Sequence, residues 1–167
     1  MNFRIGQGFD VHAFADDRSL VLGGVHVPHS QGLTGHSDAD VLSHATIDAL
    51  LGAAGLGDIG RHFPDNDPSF KDADSLKLLG HVGDLIQDQG RVIVNIDATI
   101  AAQAPRLANY LDEMAGNIAK ALCLDSSQVN VKATTTEYLG FTGRGEGIAA
   151  MAVAMLGASK NSVGVEQ

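Results

Sequence analysis

The stretch "RVIVNIDATIAAQ", residues 91–103, decides the fold. Val92, Val94, Ile96, Ala98 and Ile100 occupy alternate positions, so an extended chain sets them on one face and their neighbours on the other. Pro105 ends the run, because it has no N–H to give to a ladder. Working outward, residues 73–89 follow a helical period closed by Gly90, residues 107–122 are helical again, and "QVNVKATT" (128–135) is a second strand. Helix, strand, helix, strand is the order of a sheet covered by helices.

The flanks extend this pattern. Residues 3–14 read as a strand, and "VLGGVHVP" (21–28) as a hairpin with Gly23-Gly24 at its tip. In "HSDADVLSHATIDALLGAAG" (36–55), Val41, Leu42, Ala45, Leu50 and Leu51 recur at helical spacing. Ser37 or Asp38 is placed to cap the start, and Gly52 or Gly55 to end it. "GDIGRHFPDNDPSF" (57–70) is loop-like, and "IAAMAVAMLGA" (148–158) is an apolar run that periodicity leaves open between strand and helix. The expectation is one α/β (α+β) domain over residues 1–159, with 160–167 as a frayed tail.

Composition removes several function classes. A net charge of −9 opposes binding to a phosphate backbone, which needs a basic footprint. No apolar run reaches the roughly 20 residues of a membrane helix. The N-terminal residues lack a signal-peptide pattern, and one cysteine cannot form an internal disulfide. Cys123 reads as a small buried hydrophobe at a helix end. No nucleic acid, no membrane and a reducing cytoplasmic location are therefore expected.

The chemistry starts at "RIGQGFDVHAF" (4–14), where Asp10 and His12 interrupt an apolar strand two places apart, on one face. With His44 from the following helix they make two imidazoles and a carboxylate, a zinc ligand set that leaves the fourth position open. The alternative is an ordinary hydrogen-bonded acid–imidazole pair, with His44 a plain polar spot on its helix. In "TGHSDAD" (34–40), helix capping accounts for Ser37, Asp38 and Asp40 but not for His36, which could stabilise a phosphoryl oxygen. "GLGDIG" (55–60) matches a dinucleotide fingerprint by letters alone, since it follows a helix instead of a strand. "TTTEYLGFTGRGEG" (134–147) offers threonine hydroxyls for phosphate oxygens, and Glu137 for a hard cation such as Mg²⁺.

In combination the segments are far more specific. "GQGFDVH" (6–12), the run from "GHSDADVLSHA" to "FPDNDP" (35–68), the run from "DATI" to "AQAP" (97–105) and "VNVKATTTEYLGFTGRGEGIA" (129–149) resemble the 2-C-methyl-D-erythritol 2,4-cyclodiphosphate synthase family, in matching order over about residues 3–157. The resemblance implies a mixed β-sheet covered by helices on one face, with sheets packed around the three-fold axis of a homotrimer. It also implies a reaction in the non-mevalonate isoprenoid pathway. There, 4-diphosphocytidyl-2-C-methyl-D-erythritol 2-phosphate is closed to the cyclodiphosphate, and CMP leaves.

By matched position, Asp10, His12 and His44 would bind one Zn²⁺ per subunit, and Glu137 a Mg²⁺ or Mn²⁺ shared with the substrate diphosphate. His36 and Thr135 would stabilise the transition state, and His36 and Ser37 would meet the 2-phosphate. Asp10, Val11 and His12 would also touch substrate. Asp58, Ile59 and Gly60 would face the methylerythritol hydroxyls, with Phe63, Pro64, Asp65, Asn66 and Asp67 close by. Cytosine and its phosphates would be held by Ala102, Gln103, Ala104, Pro105, Arg106, Leu107 and Ala108 with Thr134, Thr135, Thr136 and Glu137. Phe141 and Arg144 match further ligand contacts, and the active sites would lie between subunits. Residues 15–30 and 71–91 receive no function, and His26, His29, His62 and His81 are read as solvated. A zinc hydrolase with Asp58 or Asp40 as base, or a binding protein with a structural metal, would use the same ligands.

Overall fold

The computed structural model describes residues 2–64, 66–70 and 73–159. Asp65 and the tail 160–167, for which the sequence raised expectations, lie outside the described residues. The strands are β1 (Arg4–Ala15), β2 (Leu20–Leu22), β3 (Val25–Val27), β4 (Gly32–Leu33), β5 (Arg91–Ala101), β6 (Val129–Thr134) and β7 (Gly147–Ala158). The helices are α1 (Val41–Ala54), α2 (Ile59–His62), α3 (Ser75–Asp88), α4 (Leu111–Ala121) and α5 (Gly140–Gly143). The main sheet has the order β4-β1-β7-β5-β6; β5 and β6 run parallel and the other pairs antiparallel, so the sheet is mixed. β2 and β3 form a separate hairpin turning on Gly23-Gly24, both at positive φ, the type of turn that suits strand twist.

The run left open between strand and helix is β7, at the centre of the sheet. Its inward residues Ala150, Ala152 and Ala154 are buried and small, and opposite them β1 places Asp10, Gly8 and Gly6. That lets α1 lie almost on the backbone of β1. A Cβ on Gly8 would stand 2.0 Å from the Ala45 carbonyl oxygen, and one on Gly6 2.0 Å from that of Ala49. Helices α1, α3 and α4 cover this face, and the core lies between them and the sheet. The opposite face is open, with Ile5, Phe9, Val11, Met151 and Val153 all more than two-fifths exposed.

The fold departs from the sequence reading in several details, one being the short helix α2 within the stretch 57–70 that reads as loop-like. Val92 and Val94 do not share a face with Ile96, because a register shift between Ile93 and Asn95 turns Ile93 inward and Val92 outward. α1 is capped by Asp40, whose side chain accepts from the Ser43 amide, and not by Ser37 or Asp38. α4 starts at Leu111, since residues 107–110 form a turn that buries Leu107. Cys123 is exposed at φ 55°, the left-handed residue that reverses the chain after α4 and sends Leu122 inside. Gly55 does close α1 in the left-handed conformation.

Asp40 ties the hairpin to α1. Its carboxylate is fully buried and accepts from the Gly23 and Gly24 amides at 2.9 and 2.8 Å, the Ser43 amide at 3.1 Å and the Ser43 hydroxyl at 2.8 Å. Burial still pushes its pKa up, with the four donors pulling the other way.

Candidate active site

Strand and helix periods together build the site. Asp10 and His12 share the covered face of β1, and α1 lays His44 over them where the glycines of β1 permit close approach. His12 Nε2 and Asp10 Oδ2 lie 3.0 Å apart, His44 Nδ1 and Asp10 Oδ2 3.1 Å, and the two imidazole nitrogens 3.2 Å. Three donor atoms on a near-equilateral triangle fit a tetrahedral ion. Bonds of about 2.0–2.1 Å to nitrogen or oxygen set ligand atoms about 3.3 Å apart. Among the described residues these three form the only His/Cys/Asp/Glu group placed to hold a metal.

The electrostatics agree with ionised, convergent ligands. Burial raises the Asp10 carboxyl, yet hydrogen bonds and charge from His12 and His44 outweigh it and hold Asp10 well below the usual carboxylate range. Burial lowers His44, but its hydrogen bond to Asp10 together with the negative charges of Asp10, Asp40 and Asp38 outweighs burial, so its pKa is raised in the metal-free protein.

The triangle sits in the wall of a cavity of about 220 Å³, lined also by Gly35, His36, Ser37, Ile59, Gly60, Phe63, Phe70 and Leu78. His36 Nε2 is buried and has no hydrogen-bond partner among the described residues, a donor or acceptor held ready. Arg18 fixes the backbone on both sides of it, donating to the Gly35 carbonyl at 3.2 Å and the Ser37 carbonyl at 2.6 Å. Asp58 caps α2 by accepting from the Arg61 amide, and Asp48, one turn after His44 on α1, accepts from the Ile59 amide at 2.8 Å.

A second cavity, also about 220 Å³ and mostly apolar, is lined by Ala102, Gln103, Pro105, Arg106, Leu107, Ala108, Leu111, Ala133, Thr134 and Thr135. Beside it, Thr135 donates to Glu137 at 2.7 Å, Gln103 accepts from the Tyr138 amide at 3.1 Å, and Glu137 and Tyr138 both adopt positive φ. Backbone strain of this kind collects at ligand sites.

The structure thus gathers the sequence-derived residues into two groups that share no member. Asp10, His12, His36, Ser37, His44, Ile59, Gly60 and Phe63 line the first cavity; the 102–108 segment apart from Ala104, with Thr134 and Thr135, lines the second. Val11 points to the open face of the sheet, and Asp58, Pro64, Asn66 and Asp67 flank the first cavity without lining it. Thr136 bonds to Thr142 and the Leu139 carbonyl, Phe141 is exposed, and Arg144 pairs with Glu146. Sequence reasoning missed Arg18 and Ser75, which lie in stretches given no function. It had no signal for them, since each acts through backbone or imidazole atoms brought near only by the fold.

The comparisons meet this geometry. A family model described as YgbB matches residues 3–157. The chain belongs to the YgbB family. Curated family members called 2-C-methyl-D-erythritol 2,4-cyclodiphosphate synthase include those of Lysinibacillus sphaericus, 62% identical over 92% of this chain and 98% of that protein, and Geobacillus thermodenitrificans, 63% identical over 92% and 96%. Among solved structures, an IspF from Plasmodium falciparum in complex with CDP superposes with a TM-score of 0.83 at 34% identity, covering 95% of this chain and 98% of that one. The bifunctional IspDF from Campylobacter jejuni superposes at 0.91 with 48% identity over 94% of this chain. There the match spans 42% of that longer protein.

Proposed function

We propose that this YgbB-family enzyme is a phosphorus–oxygen lyase that converts 4-diphosphocytidyl-2-C-methyl-D-erythritol 2-phosphate to 2-C-methyl-D-erythritol 2,4-cyclodiphosphate and CMP. The observation that carries the reading is the triangle of Asp10, His12 and His44 edges, 3.0–3.2 Å long, in a cavity wall that also presents His36. A 2-phosphate oxygen attacks the β-phosphorus of the same molecule, a P–O bond forms, and the bond to the α-phosphate breaks as CMP leaves. Nucleophile and electrophile are both anionic, so the enzyme must supply positioning and charge more than covalent chemistry.

Asp10, His12 and His44 would hold Zn²⁺, and Glu137 would hold Mg²⁺ or Mn²⁺ at the substrate. When bound, such ions neutralise phosphate oxygens and act as Lewis acids. His36, fixed by Arg18 on each side, donates from its free Nε2 to the 2-phosphate beside Ser37. Asp58 and Gly60 orient the methylerythritol hydroxyls. Backbone groups of residues 102–108 and Thr134–Glu137 hold cytosine and its phosphates, with Thr135 stabilising the charge that develops on transfer.

One chain carries the metal cavity and the nucleotide cavity as separate groups. The reading completes a site by bringing one of each from neighbouring subunits of a homotrimer. Supporting it, the open sheet face presents Ile5, Phe9, Val11, Met151 and Val153, an apolar patch of the kind that interfaces cover. Binding is to a small molecule in the cytoplasm, and no helix among the described residues is long and apolar enough to cross a membrane.

Phosphorus NMR on the zinc-loaded protein with Mg²⁺ and the cytidylyl substrate tests the reaction. CMP appearing with a cyclic diphosphate is the expected result. Linear phosphates alone would instead assign a zinc hydrolase.

A further inference from the structure

Behind His44, away from the cavity, stands a polar chain that the reaction does not use. His44 Nε2 lies 2.9 Å from Ser75 Oγ, and Ser75, the first residue of α3, is fully buried. The Ser75 hydroxyl donates to Asp38 Oδ1. The Ser75 amide donates to Asp38 Oδ2 at 3.0 Å, and the Asp40 amide to Asp38 Oδ1 at 3.2 Å. Asp38 is thus an acceptor for three donors.

The directions follow from counting protons. A hydroxyl has one proton to give and accepts through lone pairs. Ser75 gives its proton to Asp38, so toward His44 it can only accept. The proton between them therefore sits on His44 Nε2, and Nδ1, 3.1 Å from the ionised Asp10, carries the second proton of the charged ring, the one that a cation or alkaline pH removes. Ser37 Oγ, 3.2 Å from the same nitrogen, already accepts from the Ala39 amide and can share that role. With Nε2 protonated, a neutral His44 leaves its lone pair on Nδ1, the atom that faces Asp10 and His12.

We propose that Asp38 and Ser75 are positioning residues that fix His44 as its Nε2–H tautomer and so aim the Nδ1 lone pair into the metal triangle. This rests on the metal reading of Asp10, His12 and His44 given above, and extends it to α3, which otherwise only lends Leu78 to the cavity wall. Partners of this kind commonly change metal affinity 10–100-fold. Because Ser37 can retain part of the hydrogen bond, loss of Ser75 Oγ should fall near the lower end, about tenfold.

Two measurements test it. In the first, metal-stripped wild type, Ser75→Ala and Ser75→Thr are titrated with Zn²⁺ against a chelator. Ser75→Ala keeps the backbone tether to Asp38 and should bind Zn²⁺ about tenfold more weakly, with Ser75→Thr restoring most of the loss. Equal affinity in wild type and Ser75→Ala would overturn the proposal. The second is ¹⁵N NMR of the His44 ring in metal-free wild type at alkaline pH, which needs no variant to fold. Protonated Nε2 is expected, and protonated Nδ1 would overturn the proposal. If wild type and His44→Ala bind Zn²⁺ equally, the metal reading fails while the ring measurement still judges the tautomer.

Discussion

Gly8→Ala tests the packing that assembles the site. A methyl group at Gly8 would stand 2.0 Å from the Ala45 carbonyl oxygen and 2.7 Å from the Ala49 amide nitrogen. Non-bonded heavy atoms settle at about 3.5 Å or beyond, so the gap is short by about 1.5 Å. Both neighbours are helix backbone, and no side chain can swing aside; α1 must lift from β1. His44 is adjacent to Ala45, and Asp10 follows Gly8 by two residues. A lift of that size would stretch the 3.1 Å edge between His44 Nδ1 and Asp10 Oδ2. It would end beyond about 4.2 Å, the greatest separation of two ligands on one ion with bonds of about 2.1 Å. Overpacking of a core costs about 1–3 kcal/mol, and a clash with backbone belongs at or above the upper figure. Chemical denaturation of the metal-free proteins at fixed concentration gives the stability, and chelator competition gives the zinc affinity. A variant within about 0.5 kcal/mol of wild type that binds Zn²⁺ normally would refute the close-packing argument.

Other outcomes follow from the same structure. Gly116→Ala, on the exposed face of α4 with nothing within 4 Å of the new Cβ, should stabilise by about 0.5–1 kcal/mol through helix propensity; any destabilisation in a melt would count against the assigned helix. Asp40→Ala strips the acceptor from four donors, three of them buried, and should cost about 3–5 kcal/mol, with a loss below about 1 kcal/mol contradicting the clasp. The raised pKa of His44 makes its bond to Asp10 a source of metal-free stability that is present at acid pH and lost as pH rises through that pKa. Zinc requires the unprotonated imidazole, so the increase in Tm on adding Zn²⁺ should shrink from pH 8.5 to pH 6. Thermal melts with and without Zn²⁺ read this directly, and an increment that grew on acidification would contradict it.

Local patterns carried much of this into the sequence. Alternation announced β1, β5 and β6, the Gly23-Gly24 pair announced the hairpin, and Gly55 the end of α1, because each depends on a few neighbouring residues. The metal triangle was visible as Asp10 and His12 at strand spacing, with His44 added from the next helix. Effects set by distant partners were hidden. Val94 looks like a continuation of the Ile96 face, and only pairing with β7 at Leu156 and Met155 forces the shift that separates them. Ser37 or Asp38 reads as the cap in the sequence, and nothing nearby singles out Asp40. The hairpin amides that select Asp40 come from residues 23 and 24. Ser75 and Arg18 carry no motif at all, and their meaning lies in where α3 and the β1–β2 turn come to rest.

The most direct test of the central claim is CMP release from the cytidylyl substrate as a function of zinc occupancy, in metal-stripped wild type and in His44→Ala, with Mg²⁺ held constant. The account predicts release that rises in proportion to one zinc per wild-type subunit, and almost none from a folded His44→Ala protein at any zinc concentration. Release that is independent of zinc, or near-normal turnover in His44→Ala, would contradict it.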